Sequence, residues 1–134
     1  MLGAEGKAVK NWLIKDDVKY CRPMNDATEV RKVLVTGSAG RVGQAVVLEL
    51  LSRGHLVLGY DRHPSPNLDN AFVADLSDTE TLTEAMDSVE ALIHLAATPD
   101  DVDDVPSELF PPNINSLYHV METARVSGVR RIVL

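Results

Sequence analysis

The chain has 134 residues, 45% of them hydrophobic and 25% charged, which suffices for one buried core and falls short of two full domains. Its 20 Asp and Glu against 13 Lys and Arg give a formal net charge of -7, the wrong sign for a nucleic-acid binder, and no apolar run nears the roughly 20 residues of a membrane span. A single cysteine, Cys21, excludes an internal disulfide, and without a secretory-type apolar segment the expected setting is the cytoplasm.

In chain order, residues 1–30 read as an N-terminal extension in which acidic and basic side chains balance. Val9, Trp12, Leu13 and Val18 there have the spacing of a short amphipathic helix that ends at Cys21-Arg22-Pro23. Docking on the domain or fraying is its plain role, and its acidic residues argue against a transit peptide. From Arg31 to Leu134 apolar β-branched runs alternate with helical stretches, the pattern of βαβ units around a parallel sheet. The strands are expected at Lys32–Thr36, Leu56–Tyr60, Ala71–Ala74, Ala91–Ala96 and Arg130–Leu134. The first helix is expected at Val42–Arg53, with Val42, Ala45, Val46, Leu50 and Leu51 inward and Gly54 as its stop. A second runs from Thr79 to Asp87 after Ser77 or Asp78 as N-cap, burying Leu82, Ala85 and Met86. The third, Asn113–Ser127, presents Ile114, Leu117, Val120, Met121 and Ala124 and stops at Gly128.

Between the first strand and the first helix lies Thr36-Gly37-Ser38-Ala39-Gly40-Arg41-Val42-Gly43. A dinucleotide pyrophosphate needs a tight turn there, backbone N–H groups it can approach and a helix packed flush on the strand, and glycine serves all three needs. The helix N-terminus then offers N–H groups and a partial positive charge to the anion. Asp61 follows at the end of the second strand, where its carboxylate can accept from both adenosine ribose hydroxyls and would repel a 2′-phosphate, so NAD is favoured over NADP. Arg62, with help from Arg41, could instead receive a 2′-phosphate; its plain role is a solvated loop charge.

These residues resemble the extended short-chain dehydrogenase/reductases, the NAD-dependent epimerase/dehydratase family. The spacing of Gly37, Gly40 and Gly43 is similar to this family's variant of the glycine loop. Asp75-Leu76 looks like its adenine contact, His94-Leu95-Ala96-Ala97 like its His-x-Ala-Ala where small residues admit the cofactor, and Asn113-Ile114-x-Ser116 like its Asn-x-x-Gly with serine for glycine. The segment Leu117-Tyr118 to Glu122-x-Ala124-Arg125, with Arg131-Ile132-Val133, is most similar to uronate dehydrogenase-like members. The resemblance covers residues 31–134. It implies a cofactor site of Gly37, Gly40, Arg41, Val42, Gly43, Asp61, Arg62, Asp75, Leu76, Leu95, Ala96, Ala97 and Asn113, and in the parent enzyme a small sugar-type substrate: a sugar, a uronate or a nucleotide-sugar. Plain alternatives stand beside these roles: Asp75 capping its turn, His94 as a hydrogen-bonded core residue, Asn113 as the N-cap of its helix.

The family's proton-transferring Tyr-x-x-x-Lys pair has no counterpart here: four residues after Tyr20, Tyr60 and Tyr118 stand Met24, Pro64 and Glu122. No catalytic residue is therefore assigned. The acidic run Asp100-Asp101-Val102-Asp103-Asp104 lacks the glycine and distal glutamate of a calcium loop and reads as a solvated rim of the ligand edge. The expectation is an α/β, Rossmann-type doubly wound parallel sheet of strand order 3-2-1-4-5, incomplete after about five strands. It would bind a nicotinamide dinucleotide but no membrane or nucleic acid, with homo-oligomerisation open. It would be the cofactor portion of a dehydrogenase, epimerase or dehydratase, or else a non-catalytic dinucleotide sensor.

Overall fold

The structure, a computed structural model, describes residues 29–98 and 106–134, with only the backbone of 106–110. The expected helix around Trp12 and the acidic run at 100–104 lie outside the described residues. The elements follow as β1 (Lys32–Thr36), α1 (Arg41–Ser52), β2 (Leu56–Asp61), β3 (Ala71–Val73), α2 (Thr79–Ala85), β4 (Ala91–His94), α3 (Pro106–Val126) and β5 (Arg131–Val133). The five strands form one sheet in the order β3-β2-β1-β4-β5, and every pair is parallel.

Strand residues alternate between the two faces, so β1 feeds two cores at once. Val33 and Val35 join Val57 of β2 and Val47 of α1 on one face. Leu34 points the other way, where Tyr60 and Leu92 meet Leu82, Ala85 and Met86 of the α2 region and Val120 and Ala124 of α3. A strand buried on both faces must be apolar throughout, and Val33-Leu34-Val35 is. The edge strands β3 and β5 are short and only partly covered.

Most bounds shift by one or two residues, and the structure differs from the expectation more substantially in three places. β4 ends at His94, two residues short of the expected Ala96: the Leu95 N–H makes the last bond to β1, to the Thr36 carbonyl at 3.1 Å, and Ala96 then passes close to Gly37 of the glycine loop. The inward face of α1 is Gly43, Val46, Val47 and Leu50, while Ala45, expected inward, is exposed, Val42 is 64% and Leu51 40% exposed. Gly43 must lie against the loop, and that requirement sets the rotation of the helix. α3 begins at Pro106 and runs through Pro111 and Pro112 rather than starting at Asn113. Pro106 suits a first helical position, whose N–H no helix uses; Pro111 and Pro112 cost the helix two donors without ending it. Asn113 is thus inside the helix and is not its N-cap. At α2 the cap is as expected, with Asp78 accepting from the Thr81 N–H at 3.1 Å.

Candidate functional site

The chain turns out of β1 at Gly37, whose φ of +73° lies in the left-handed region that a side chain resists. Its N–H donates to the Tyr60 carbonyl at 2.8 Å, and a Cβ there would lie 2.7 Å from the Ala96 nitrogen. Glycine therefore lets the end of β4 run directly alongside the loop. A Cβ on Gly43 would drive into the Gly37 carbonyl oxygen, so α1 also sits flush on the turn. Gly40 is the N-cap of α1 and offers no side-chain oxygen, which leaves the first-turn N–H groups open to an external anion. Ser38, buried inside the loop, is hydrogen-bonded to Ser65 at 2.5 Å and so fastens the loop to the segment after β2.

Two carboxylates stand beside this loop. Asp61, at the end of β2, accepts from the Ala39 N–H at 3.0 Å through Oδ2 and from the His63 N–H at 3.0 Å through Oδ1. Asp75, in the turn from β3 to α2, accepts from the Ser77 N–H at 2.9 Å. Hydrogen bonds from Ser77, with the charges of Arg62 and His119 assisting against partial burial, hold its carboxyl below the usual 3.8, so it is ionised at neutral pH. Tyr60 connects the glycine loop to the β3–α2 turn: its backbone carbonyl holds Gly37, and its phenol donates to the carbonyls of Asp75 at 2.9 Å and Asp78 at 3.4 Å. Burial, then the charges of Asp78 and Asp75, push that phenol up to about 12.

These groups surround a cavity of about 420 Å³ at the carboxyl edge of the sheet, a size and place typical of small-molecule sites. Of the residues expected at the site, Gly37, Gly40, Asp61, Arg62, Asp75, Leu76, Leu95, Ala96, Ala97 and Asn113 line it. Arg41 and Val42 instead point outward from the start of α1, and Gly43 packs beneath the loop. Asn113 also braces the cavity wall. Its side chain accepts from the Thr98 N–H at 2.7 Å and donates to the Thr98 carbonyl at 3.2 Å, pinning the chain as it leaves β4. His94 is hydrogen-bonded to Thr36 at 2.6 Å. Because the Thr36 hydroxyl also accepts from the Ala96 N–H at 3.4 Å, its proton is free for the ring, and burial lowers the His94 pKa toward the neutral form. That is the behaviour of a hydrogen-bonded core histidine.

Asn115, Ser116 and His119 complete the wall on α3. His119 was not expected there, although its spacing of three residues from Ser116, itself three from Asn113, places all three along one helix side.

Among curated proteins, the chain is similar to the 3 beta-hydroxysteroid dehydrogenase/Delta 5-->4-isomerase of Mycobacterium tuberculosis, 33% identical over 126 residues, covering 84% of this chain and 34% of that protein. Among solved structures, a short-chain dehydrogenase/reductase superfamily protein from Agrobacterium tumefaciens with bound NAD is 37% identical, with a TM-score of 0.68 over 75% of this chain and 31% of the other. Uronate dehydrogenase from Agrobacterium tumefaciens complexed with NAD is 26% identical, with a TM-score of 0.64 over 78% of this chain and 40% of the other. The chain thus spans about a third of the length of the curated relatives it matches. Residues 33–134 match the model of the NAD dependent epimerase/dehydratase family, and the chain belongs to that family.

Proposed function

We propose that the cavity binds NAD and that residues 31–134 are the NAD-binding domain of an extended short-chain dehydrogenase/reductase. The observation that carries this reading is the convergence of the glycine loop, Asp61 and Asp75 on one cavity. Each suits one group of the cofactor. The open first turn of α1 and the loop N–H groups take the pyrophosphate, Asp61 accepts from the adenosine ribose hydroxyls, and Asp75 with Leu76 meets the adenine. Leu95, Ala96 and Ala97 leave room for the nicotinamide half, and Asn113 keeps that wall in place through Thr98. When bound, NAD supplies a hydride acceptor at the nicotinamide ring. The chain's own part is to bind, orient and fix the charge environment of that ring.

The substrate in this proposal is a sugar, a uronate or a nucleotide-sugar. The likeness to uronate dehydrogenase and the segment Leu117 to Arg125 support it, while the similar hydroxysteroid dehydrogenase represents a competing substrate class. Asp61 favours NAD over NADP, with Arg62 on the cavity wall opposing that preference. A second reading, a dinucleotide-binding sensor, draws on the lack of a Tyr-x-x-x-Lys sequence among residues 1–134.

Isothermal titration of the folded chain with NAD and NADP tests the first claim, and silence from both would end it. Following NADH formation with uronates and nucleotide-sugars in any longer protein that carries this chain separates the two readings: turnover there supports the oxidoreductase, and binding without turnover favours the sensor.

A further inference from the structure

A hydroxyl removed from water costs stability unless it is hydrogen-bonded, and two serines far apart in the sequence meet that need through each other. Ser38 of the glycine loop and Ser65 of the segment between β2 and β3 are both buried, with their Oγ atoms 2.5 Å apart. β2 is shaped around them. A Cβ on Gly59 would lie 2.7 Å from the Ser38 oxygen and 3.1 Å from that of Ser65, so a side chain there would force the pair to shift.

Ser65 is a fixed post. It opens the turn Ser65-Pro66-Asn67-Leu68, in which the Leu68 N–H donates to the Ser65 carbonyl at 3.3 Å and Pro66 takes the position that suits its restricted φ. Leu68 then packs on the cluster of Val33, Val35, Val47 and Val57, which ties the turn to the core.

The glycine loop has other holds, and a ligand draws on one of them. Gly37 donates to the Tyr60 carbonyl, the Gln44 side chain donates to the Ala39 carbonyl at 2.7 Å, and the Ala39 N–H donates to Asp61. Asp61 lines the cavity, so its carboxylate is divided between the loop and the hydroxyls that a ligand brings. Neither Ser38 nor Ser65 lines the cavity, and their bond stands apart from that division.

Resting on the NAD reading above, we propose that the Ser38–Ser65 pair keeps the glycine loop in the form that receives the pyrophosphate while Asp61 engages the ribose. Ser65 is thus a positioning residue for the cofactor: it acts through Ser38 on the loop and on the first turn of α1. An anion site made of backbone N–H groups is strongest when those groups are held before the anion arrives, because every freedom lost on binding subtracts from affinity.

Removing the hydroxyls singly and together separates positioning from mere support. Ser65→Ala leaves the Ser38 hydroxyl buried without its partner. Its midpoint in urea should fall, and its NAD affinity by titration calorimetry should drop about fivefold. Ser38→Ala should do the same from the other side. In Ser38→Ala/Ser65→Ala no hydroxyl is left unpaired, so the urea midpoint should return toward that of the wild type. NAD affinity should nevertheless stay about fivefold reduced, since the loop is still unfastened. Affinity that recovers together with stability would overturn the proposal, as would a Ser65→Ala variant that binds NAD like the wild type. Should the single variants fail to fold, the double variant decides alone. A wild type that binds no NAD ends the NAD reading itself; undiminished binding by the double variant removes only the role of the serine pair.

Discussion

Asp61 does two things, and both bear on any substitution made there. It faces the cavity, and it holds the Ala39 N–H of the glycine loop. Hydrogen bonds to a charged group contribute about 1.5–3 kcal/mol each, so Asp61→Ala should weaken NAD by roughly 10- to 150-fold. NADP should lose less, because the repulsion of its 2′-phosphate disappears with the charge. Titrating the variant with both cofactors separates the roles: a larger loss for NAD places Asp61 at the ribose, and equal losses leave it only the loop. At this scale the sequence was informative wherever a backbone demand admits one residue type. Gly37, Gly43 and Asp61 were legible because a tight turn, a close approach and a strand end each call for them. The clamp from Asn113 to Thr98 was not, since nothing in the order of residues says which main-chain groups a mid-helix amide will reach. His119 was hidden for the same reason.

At the scale of elements, β4 is tied to β1 by a polar contact at their carboxyl ends as well as by the ladder. The partners are Thr36 and His94, directly opposite one another in the register. Burial lowers His94 below its ordinary 6.5, so the folded chain prefers the neutral ring. A group lowered in this way contributes stability that is fully present above pH 6.5 and is lost as the pH falls through its folded value. Urea unfolding should therefore show a midpoint that declines on acidification below about pH 6.5, and His94→Gln should flatten that decline. An unchanged slope in the variant would show that other groups set it. Strand positions were readable because apolar runs bounded by Gly, Asp or Pro have few alternatives. The rotation of α1 was not, since Val42, Leu48 and Leu51 are as apolar as Val47, and only the seat of Gly43 on the loop selects between them. The start of α3 was masked by its prolines, which usually mark a boundary and here do not.

For the molecule as a whole, covered and uncovered apolar surface are unevenly distributed. Ile114, Tyr118 and Met121 project from α3 with 60%, 65% and 39% of their surface in contact with solvent, and the edge strand β5 is followed by the exposed Leu134. Surface of this kind favours association. Sedimentation of the chain should show an average mass that rises with concentration, and Tyr118→Lys with Met121→Lys should return it to the monomer. A wild-type monomer melting cooperatively above about 60 °C would contradict the expectation. Against that open side, the opposite part of the sheet is closely bound together, and Tyr60 is the reason. One residue holds the glycine loop through its carbonyl and the β3–α2 turn through its phenol, so neither segment can open without disturbing the other. Amide hydrogen exchange should report this as shared timing, with the protons of Gly37 and Ser77 leaving at one common rate. In Tyr60→Phe the Ser77 proton should depart sooner while Gly37 keeps its pace. The two ends of the cavity would then no longer keep the same clock, and a cofactor spanning them would meet one ready end and one still moving.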